Sequence, residues 1–412
     1  IGGIGLAKEM EESAVSSSMA EPSPETECGE IHTWGQTLRL SLCMQLLSLP
    51  IILWHFFSYP LYGIALNLVV VPLTGVIVGT GAGGILGSLF SIRAGTWIIG
   101  GGRAVLAWYE FCCRCFMKLP GSSLLCGRPK LWQILVYYMV LGVVITFVVN
   151  GYRKSAPVYR VPGWSEPAVK AGLGILRSLY GKSETVMVFL LLAALTFLRP
   201  PAVRGLEVTI LDTGQGDGIC IRTKSEVILV DGGSTDQKEL GRYRLEPFLK
   251  SMGIRQVDLA IVTHGDWDHI SGISWLMEQK AAEKARGASD AVLIRKLAMP
   301  EIGKGEDVYG RLEQLCLQQG GEVLWIARGY EESRDAGLHL TCMYPESASG
   351  RGQSASGTDR NEHSLVFCLD YGVFHMLLTG DMSADGEKKL IALESEDAQN
   401  AGQIWDRWRA AM

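Results

Sequence analysis

The residue types best suited to chemistry are concentrated in one short segment. The sequence THGDWDH, residues 263–269, follows the apolar pattern VDLAIV and precedes a helical pattern. Two imidazoles and two carboxylates at a strand end can hold two divalent cations, which activate water for hydrolysis and neutralise the leaving oxygen. A solvated loop with helix-capping aspartates is the alternative, but the pairing of both histidines with both acids favours metal ligands. The candidate ligands, which would act in catalysis through activated water, are His264, Asp266, Asp268 and His269.

Acidic residues also end other strand patterns. Asp381 closes the apolar run LLTGD and could bridge both cations. Asp231 precedes two glycines in LVDGG, where its carboxylate could orient a ligating histidine, although a turn-forming aspartate is an equally good interpretation. The Gly-rich turn LDTGQGD is interpreted mainly as scaffolding, with Asp217 a candidate for orienting a ligand.

The sequence beyond Leu206 predicts a mixed α/β domain that would position these residues. Short β-rich runs, among them LEVTIL, GICIR, EVILV and VFHMLLTG, alternate with helical patterns. Helices are predicted over residues 238–252 and 270–280, and Gly253 is a stop signal for the first.

The first half has a different composition. Of the 412 residues, 48% are hydrophobic and only 20% are charged, which indicates that some apolar surface faces lipid. The composition changes near Pro200 and Pro201, so we predict a membrane domain over residues 38–200 and a second domain over 201–412. The net charge of -5 supplies no overall basic surface, so any attraction to DNA must be local.

Apolar runs predict a polytopic α-helical membrane bundle. They cover residues 41–58, 61–78, about 97–116, 131–149 and 185–198, and all but the last are long enough to span a membrane. Pro50 and Pro72 lie inside the first two runs, which is tolerated when neighbouring helices satisfy the freed carbonyls. The Gly-rich stretch 79–102 favours a re-entrant turn or a close helix contact, although a weakly hydrophobic loop is equally compatible.

Two connecting segments complete the membrane half. Residues 13–30 are rich in Ser, Pro and Glu, so we predict a flexible loop over 1–37 at the start of a fragment. The connector 153–182 is rich in Lys and Arg, which indicates a cytoplasmic position and places residues after Pro201 on the outer face of the membrane. A buried helix at 185–198 would reverse that orientation.

Five motifs together resemble a known family. LDTGQGDGICI, VILVDGG, THGDWDHISG, NEHSLVFCLDYG and LLTGD occur in the order seen in the metallo-β-lactamase domain of ComEC-type competence proteins, which internalise DNA. The segment LSLPIILWHFFSYPLYGIALNLVVVPLTG is similar to the end of that family's membrane domain, so the resemblance extends from about Leu38. It implies an αβ/βα sandwich with a metal site at its rim.

The resemblance also assigns site residues. The family signature HxHxDH matches residues 264–269, with Asp266 in place of the second histidine, as is usual in this branch, and Asp381 matches the bridging acid. Asn361 and Ser364 match a polar turn that could contact a phosphate.

A family motif is missing from the end of the chain. The distal His-His-Gly-Ser motif does not occur before Met412, so we expect an incomplete ligand set, for which His363 could compensate. We therefore also expect a C-terminally incomplete domain that binds metal weakly or hydrolyses slowly.

The implied function is DNA uptake in natural transformation. The membrane half would pass single-stranded DNA inward across the bacterial cell membrane, and the outer domain, with two Zn or Mn ions, would degrade the other strand. Membrane lipid and other competence proteins are the implied partners. There are two alternatives. One is a metallo-β-lactamase-like domain that is degenerate and purely structural. The other is a membrane-tethered hydrolase of a β-lactam or a small phosphoester, and Asp266 argues against β-lactamase activity. A basic cluster of Arg242, Arg244, Lys250 and Arg255 near the motif is better explained as a solvated helix face than as a DNA contact.

Overall fold

The computed structural model describes residues 29–119, 121–155, 183–286, 291–334, 337–347 and 360–400. Its contacts divide the chain into two compact units. The first comprises Ile1–Leu47, Ile64–Gly102 and Arg153–Leu191, and the second comprises Ser48–Gly63, Arg103–Tyr152 and Leu192–Met412.

Long helices dominate the described part of the first half. They are α1 (Gly29–Phe56), α2 (Gly63–Phe90), α3 (Ile92–Met117), α4 (Leu131–Ser155) and α5 (Ser183–Phe197). Two short strands, β1 (Ser58–Pro60) and β2 (Ser123–Leu125), pair antiparallel between them. Residues 29–37, which we predicted as part of a flexible loop, instead begin helix α1, and residues 1–28 lie outside the described part of the chain.

Two of the described helices are long and apolar enough to cross a membrane, Leu38–Phe56 and Gly63–Phe90. Leu131–Thr146 and Glu184–Phe197 are apolar but shorter. Helix α3 carries Arg93, Arg103 and Arg114, which lower its hydropathy. The prediction of four full-length spans is therefore not confirmed, and the polytopic bundle stays a prediction.

Glycines bring α2 and α3 together within the first unit. A Cβ at Gly95 would lie 2.8 Å from the carbonyl oxygen of Gly84, and one at Gly84 would lie 2.3 Å from the Ile99 side chain. Only a hydrogen in place of a side chain permits this approach. The stretch 79–102 thus forms a close helix contact, one of the two predicted arrangements.

The described part of the second half contains two large sheets and a two-stranded parallel pair. Its strands are β3 (Glu207–Ile210), β4 (Ile219–Arg222), β5 (Val227–Val230), β6 (Gln256–Val257), β7 (Leu259–Ile261), β8 (Leu293–Ile294), β9 (Lys296–Pro300), β10 (Glu322–Ile326), β11 (Glu331–Arg334), β12 (Leu338–Tyr344), β13 (Val366–Tyr371) and β14 (Phe374–Leu378). The larger sheet has the order β10-β9-β7-β5-β4-β3, the smaller has the order β11-β12-β13-β14, and β6 pairs with β8. Strands β5, β7, β9 and β10 are parallel, whereas β3, β4 and β5 pair antiparallel.

Helices cover both outer faces of the paired sheets. They are α6 (Glu246–Ser251), which follows a single π-type turn over Gly241–Leu245, α7 (Trp267–Arg286), α8 (Asp307–Gln319) and α9 (Ala384–Asn400). Because side chains alternate along a strand, Leu229 of β5 packs among the first three helices, while Ile228 and Val230 pack against Phe367 of the smaller sheet. Leu390 of α9 covers the other face of that sheet. The predicted αβ/βα sandwich is confirmed.

A glycine after β5 allows the start of α7 to approach. A Cβ at Gly233 would lie 2.4 Å from the carbonyl carbon of Asp268 and 2.5 Å from the backbone nitrogen of His269. These are backbone atoms, so they cannot rotate away as a side chain can.

The substitution Gly233→Ala is expected to lower the free energy of unfolding by about 2 kcal/mol, because the added methyl displaces the first turn of α7. Gly310→Ala is the matched control: Gly310 lies inside α8 with open space around it, so alanine should stabilise by about 0.5 to 1 kcal/mol. Urea denaturation of both variants measures the difference. Equal effects of the two substitutions would contradict the packing argument.

Candidate metal centre

Adjacent parallel strands bring the candidate residues to one edge of the larger sheet. Strands β5 and β7 are in register, with Val230 opposite Ile261, so their carboxyl ends lie side by side. Asp231 directly follows β5, and His264 follows β7 by three residues. His269 lies in the first turn of α7, and it is therefore held by a helix that starts inside the polar motif.

Potential ligand atoms converge here in two overlapping groups. The first contains His264, His269 and Asp381, and the second contains Asp217, Asp231 and His269, each with its ligand atoms within 4.8 Å of one another. The two imidazole rings lie 4.0 Å apart between centroids. Asp381 follows β14, so the smaller sheet also contributes to the site.

The donor set fits a divalent cation. Nε2 of His269 is buried and has no hydrogen-bond partner, although Oδ2 of Asp381 lies 3.3 Å away. A buried polar atom without a partner is costly, and a cation between imidazole and carboxylate would satisfy both groups. Nε2 of His264 lies 3.7 Å from Oδ2 of Asp266, so a fourth carboxylate, which belongs to neither group, borders the same region.

Asp231 fixes the orientation of His269. Its carboxylate is 1% exposed and accepts hydrogen bonds from the backbone nitrogen of Thr263 at 2.8 Å and from the Thr263 hydroxyl at 2.7 Å. Nδ1 of His269 donates to the same carboxylate at 3.0 Å. Because Nδ1 is engaged, Nε2 is the nitrogen that faces the ligand groups. Asp231 adopts a positive φ of 53°, a conformation that is strained for a residue other than glycine.

Thr263 and Ser364 fix the second imidazole. The Thr263 hydroxyl donates its proton to Asp231, so at 3.1 Å from Nδ1 of His264 its oxygen acts as an acceptor. His264 therefore carries its proton on Nδ1 and presents an unprotonated Nε2 towards Asp266. The Ser364 hydroxyl lies 3.3 Å from the same Nδ1.

The electrostatic environment shifts the pKa values of the two histidines in opposite directions. Burial opposes charging of His269, but the hydrogen bond that its ring donates to Asp231 and the charges of Asp231, Asp381 and Asp268 outweigh it and raise its pKa to about 9. Burial and the neighbouring His269 lower the pKa of His264. Burial and the charge of Asp231 raise the pKa of Asp217.

The remaining predicted residues lie around this centre. Asp268 is half-buried in the first turn of α7 and belongs to neither group of potential ligands. Asn361 and His363 lie in a 3₁₀ turn over Arg360–His363, and they belong to neither group either. Ser364 is fully buried and its hydroxyl faces His264, and the expected contact of this hydroxyl with a phosphate stays a prediction.

Two further residues contribute that the sequence interpretation did not assign. Thr263 connects Asp231 to His264. The one feature of the sequence that could have indicated this role is a hydroxyl residue directly before the first histidine of the motif. Arg360 donates from Nη1 to Oδ1 of Asp266 at 3.1 Å. No spacing rule pointed to Arg360, because it is 94 residues from its partner in the chain.

The basic cluster consists of separately engaged side chains. Arg242, Arg244 and Lys250 form ion pairs with Glu239, Asp212 and Glu246, and Arg255 donates to the carbonyl oxygen of Ser123. These contacts agree with a helix face and its loops rather than with a free cationic surface.

Comparison with known proteins identifies two family domains. Residues 16–150 match the family of competence proteins, and residues 211–410 match the metallo-β-lactamase superfamily. The chain is 25% identical over 374 residues to ComE operon protein 3 of Bacillus subtilis, which covers 87% of this chain and 42% of that protein. It is 24% identical over 363 residues to Recombination protein 2 of Haemophilus influenzae, with 83% and 37% covered. A third relative, competence protein ComA of Neisseria gonorrhoeae, is 25% identical over 204 residues, with 49% and 24% covered. The chain thus spans less than half of the length of these relatives.

Solved structures with remote similarity include the metallo-β-lactamase fold protein YhfI of Bacillus subtilis. It is 14% identical with a TM-score of 0.28, and the match covers 43% of this chain and 62% of that chain. Zn²⁺-bound PqqB of Methylobacterium extorquens is 12% identical with a TM-score of 0.24, and the match covers 39% and 47%.

The metal-free chain is expected to lose stability as the pH rises from about 6.5 through about 9. His269 has an ordinary pKa of 6.5 and a folded-state pKa of about 9, so its proton stabilises the fold fully below 6.5 and no longer above 9. The loss should be on the order of 3 kcal/mol. The urea midpoint, followed by tryptophan fluorescence in a chelator, measures it. Asp231→Asn is the control, since it removes the main charge that raises the pKa of His269. The urea midpoint of this variant should therefore change less with pH. Equal pH dependence of the variant and the unaltered chain would refute the role of His269.

Proposed function

Because the chain belongs to the ComEC-type competence proteins, which join a competence domain to a metallo-β-lactamase domain, we propose that the second domain is a metal-dependent nuclease acting in DNA uptake. The observation that supports this most directly is the buried Nε2 of His269, which has no hydrogen-bond partner and faces Asp381 beside His264. A divalent cation between this Nε2 and the Asp381 carboxylate would satisfy both buried and half-exposed ligand groups at once.

Each side chain has a distinct part in this proposal. His264, His269 and Asp381 hold the cations, two in number and either zinc or manganese, with Asp266 and Asp268 as further ligands. The carboxylate-rich set favours manganese slightly. When bound, the cations lower the pKa of water and neutralise charge on the leaving oxygen of a phosphodiester. Asp231 and Thr263 keep both Nε2 atoms directed at the cations, so that no ligand has to reorient during the reaction.

A second candidate is a DNA-translocating protein whose metallo-β-lactamase domain is structural. The observation in its favour is that Asp266 and Asp268 lie in neither ligand group, so the family signature is only partly assembled among the described residues. A domain without metal would leave the Asp231 network as a purely stabilising feature.

The membrane context is the third part of the proposal. Competence family proteins are membrane proteins, and α1 and α2 each contain a segment long and apolar enough to cross a bilayer. We place the chain in the bacterial cell membrane as a multi-pass protein, with the nuclease domain on the outer face. The basic connector that suggests this orientation falls largely on residues 156–182, outside the described part of the chain. One DNA strand would be degraded outside while the other is transported inward with other competence proteins.

Metal-dependent cleavage of labelled single-stranded DNA by the full chain in detergent is the test of the nuclease. Chelation should abolish cleavage, manganese or zinc should restore it, and His264→Ala or Asp381→Ala should lower the rate at least about 100-fold, because each removes a ligand. Bound metal, measured by mass spectrometry, should fall in the same variants.

The matched control is His339→Ala, which removes an exposed histidine on β12 that contacts Ser333. Its rate and metal content should equal those of the unaltered chain. Cleavage that survives His264→Ala would refute the nuclease proposal. Stoichiometric metal binding without cleavage would favour the structural alternative or another substrate.

Orientation is tested in intact cells by thiol labelling. Val373 is 97% exposed in the turn between β13 and β14, so a cysteine there should react with a membrane-impermeant maleimide added outside. The unaltered chain, with its native cysteines, sets the background. Labelling of Val373→Cys that appears only after the cells are opened would place the domain in the cytoplasm.

A further inference from the structure

We propose that Arg360 forms a phosphate-binding subsite beside the metal centre and contacts a non-bridging oxygen of the substrate phosphodiester. This inference rests on the proposed nuclease function and assigns a substrate contact within it. Arg360 lies at the end of a connected series of contacts that starts at His264.

The guanidinium is held by two carboxylates from different elements. Nη1 donates to Oδ1 of Asp266 at 3.1 Å, and Nε donates to Oε2 of Glu306 at 3.3 Å. Glu306 precedes the first residue of α8, and Asp266 lies between β7 and α7. Because two anchors on separate elements fix the group, its plane has a defined position at the rim of the site.

The backbone that carries Arg360 is also fixed. The 3₁₀ turn over Arg360–His363 leads into Ser364, whose hydroxyl lies against His264. The next residue, Leu365, donates its backbone N–H to the carbonyl oxygen of Thr263 at 2.9 Å. The turn is therefore attached to the same strand end that carries the histidines.

Donors remain for a ligand. A guanidinium has five N–H donors, and the two ion pairs engage Nη1 and Nε while the side chain is 41% exposed. The carboxylate of Asp266 lies between Arg360 and the metal centre. Its Oδ1 faces the guanidinium, and its Oδ2 faces Nε2 of His264. A phosphate bound at the centre would thus lie within reach of the guanidinium, and arginine matches phosphate geometry better than lysine does.

A purely structural alternative gives different expectations. If Arg360 only held Asp266 in place, its removal would weaken metal binding and leave phosphate binding per loaded site unchanged. If it binds phosphate, its removal weakens phosphate binding and changes the metal dissociation constant little. The two roles are separated by measuring both constants.

The experiment uses the full chain in detergent, loaded with manganese, and the variants Arg360→Ala and Arg360→Lys. Calorimetry with inorganic phosphate should give a dissociation constant raised at least about 10-fold in Arg360→Ala and less in Arg360→Lys, because lysine keeps the charge but loses the fork. For single-stranded DNA, KM should rise, and the slope of log KM against log salt should fall by about 0.7, the value for one lost phosphate contact. The metal dissociation constant should change less than about 3-fold.

Arg295→Ala is the matched control. Arg295 is 61% exposed, pairs with Asp258 and precedes β9, so it lies at the opposite edge of the parallel strands. Its loss removes one surface charge but should leave the phosphate constant, KM and the salt slope unchanged.

The outcomes separate this inference from the function on which it rests. A weakened metal constant with unchanged phosphate binding in Arg360→Ala would overturn the subsite. If the unaltered chain binds phosphate but cleaves no DNA, the nuclease proposal fails, while loss of phosphate binding in Arg360→Ala still supports the subsite. If the loaded chain binds no phosphate, the subsite is overturned as well.

Discussion

The carboxylate of Asp231 is buried almost completely, and three donated hydrogen bonds stabilise its charge. Taking a carboxylate out of water costs several kcal/mol unless its oxygens are satisfied, so the donors on Thr263 and His269 must be in place whenever the domain is folded. These donors come from the loop after β7 and from the first turn of α7. One buried charge therefore links the ends of two strands to the start of a helix.

The glycines around this link follow from the same requirement. Gly272 approaches the backbone of Gly232, and Gly380 approaches the side chain of Thr263, at distances that a Cβ would not allow. Gly380 also has a positive φ, which places Asp381 beyond the end of β14 and next to His269. The Gly-rich motifs thus serve close packing of backbone around the histidines, whereas the chemistry belongs to the residues that they allow to approach.

The sequence predicted the parts of this arrangement that depend on local patterns. Alternating and apolar runs predicted strands that end near Asp231 and Asp381. Parallel pairing of β5 with β7 brings Asp231 beside the histidine motif, whereas Asp381 reaches the site from the antiparallel smaller sheet. Thr263 and Arg360 could not be assigned, because their roles depend on contacts across 32 and 94 residues of chain. In the membrane half, hydropathy predicted the apolar runs, but Arg93, Arg103 and Arg114 lower the mean hydropathy of α3, so that run does not by itself indicate a span.

The supporting residues and both histidines of the site are buried, whereas its outer carboxylates are partly exposed. Asp231, Thr263 and Ser364 are buried and fix tautomers, whereas Asp381 and Asp266 have side chains that are 45% and 37% exposed. Supports that are protected from water keep their hydrogen bonds as the pH and salt concentration change, while exposed carboxylates remain accessible to a cation. The elevated pKa of His269 adds a condition, because a cation must displace a proton from Nε2 before it can bind. Metal affinity and the stability of the metal-free fold are thus coupled through one imidazole, since the proton that stabilises the metal-free fold is the one that the cation replaces.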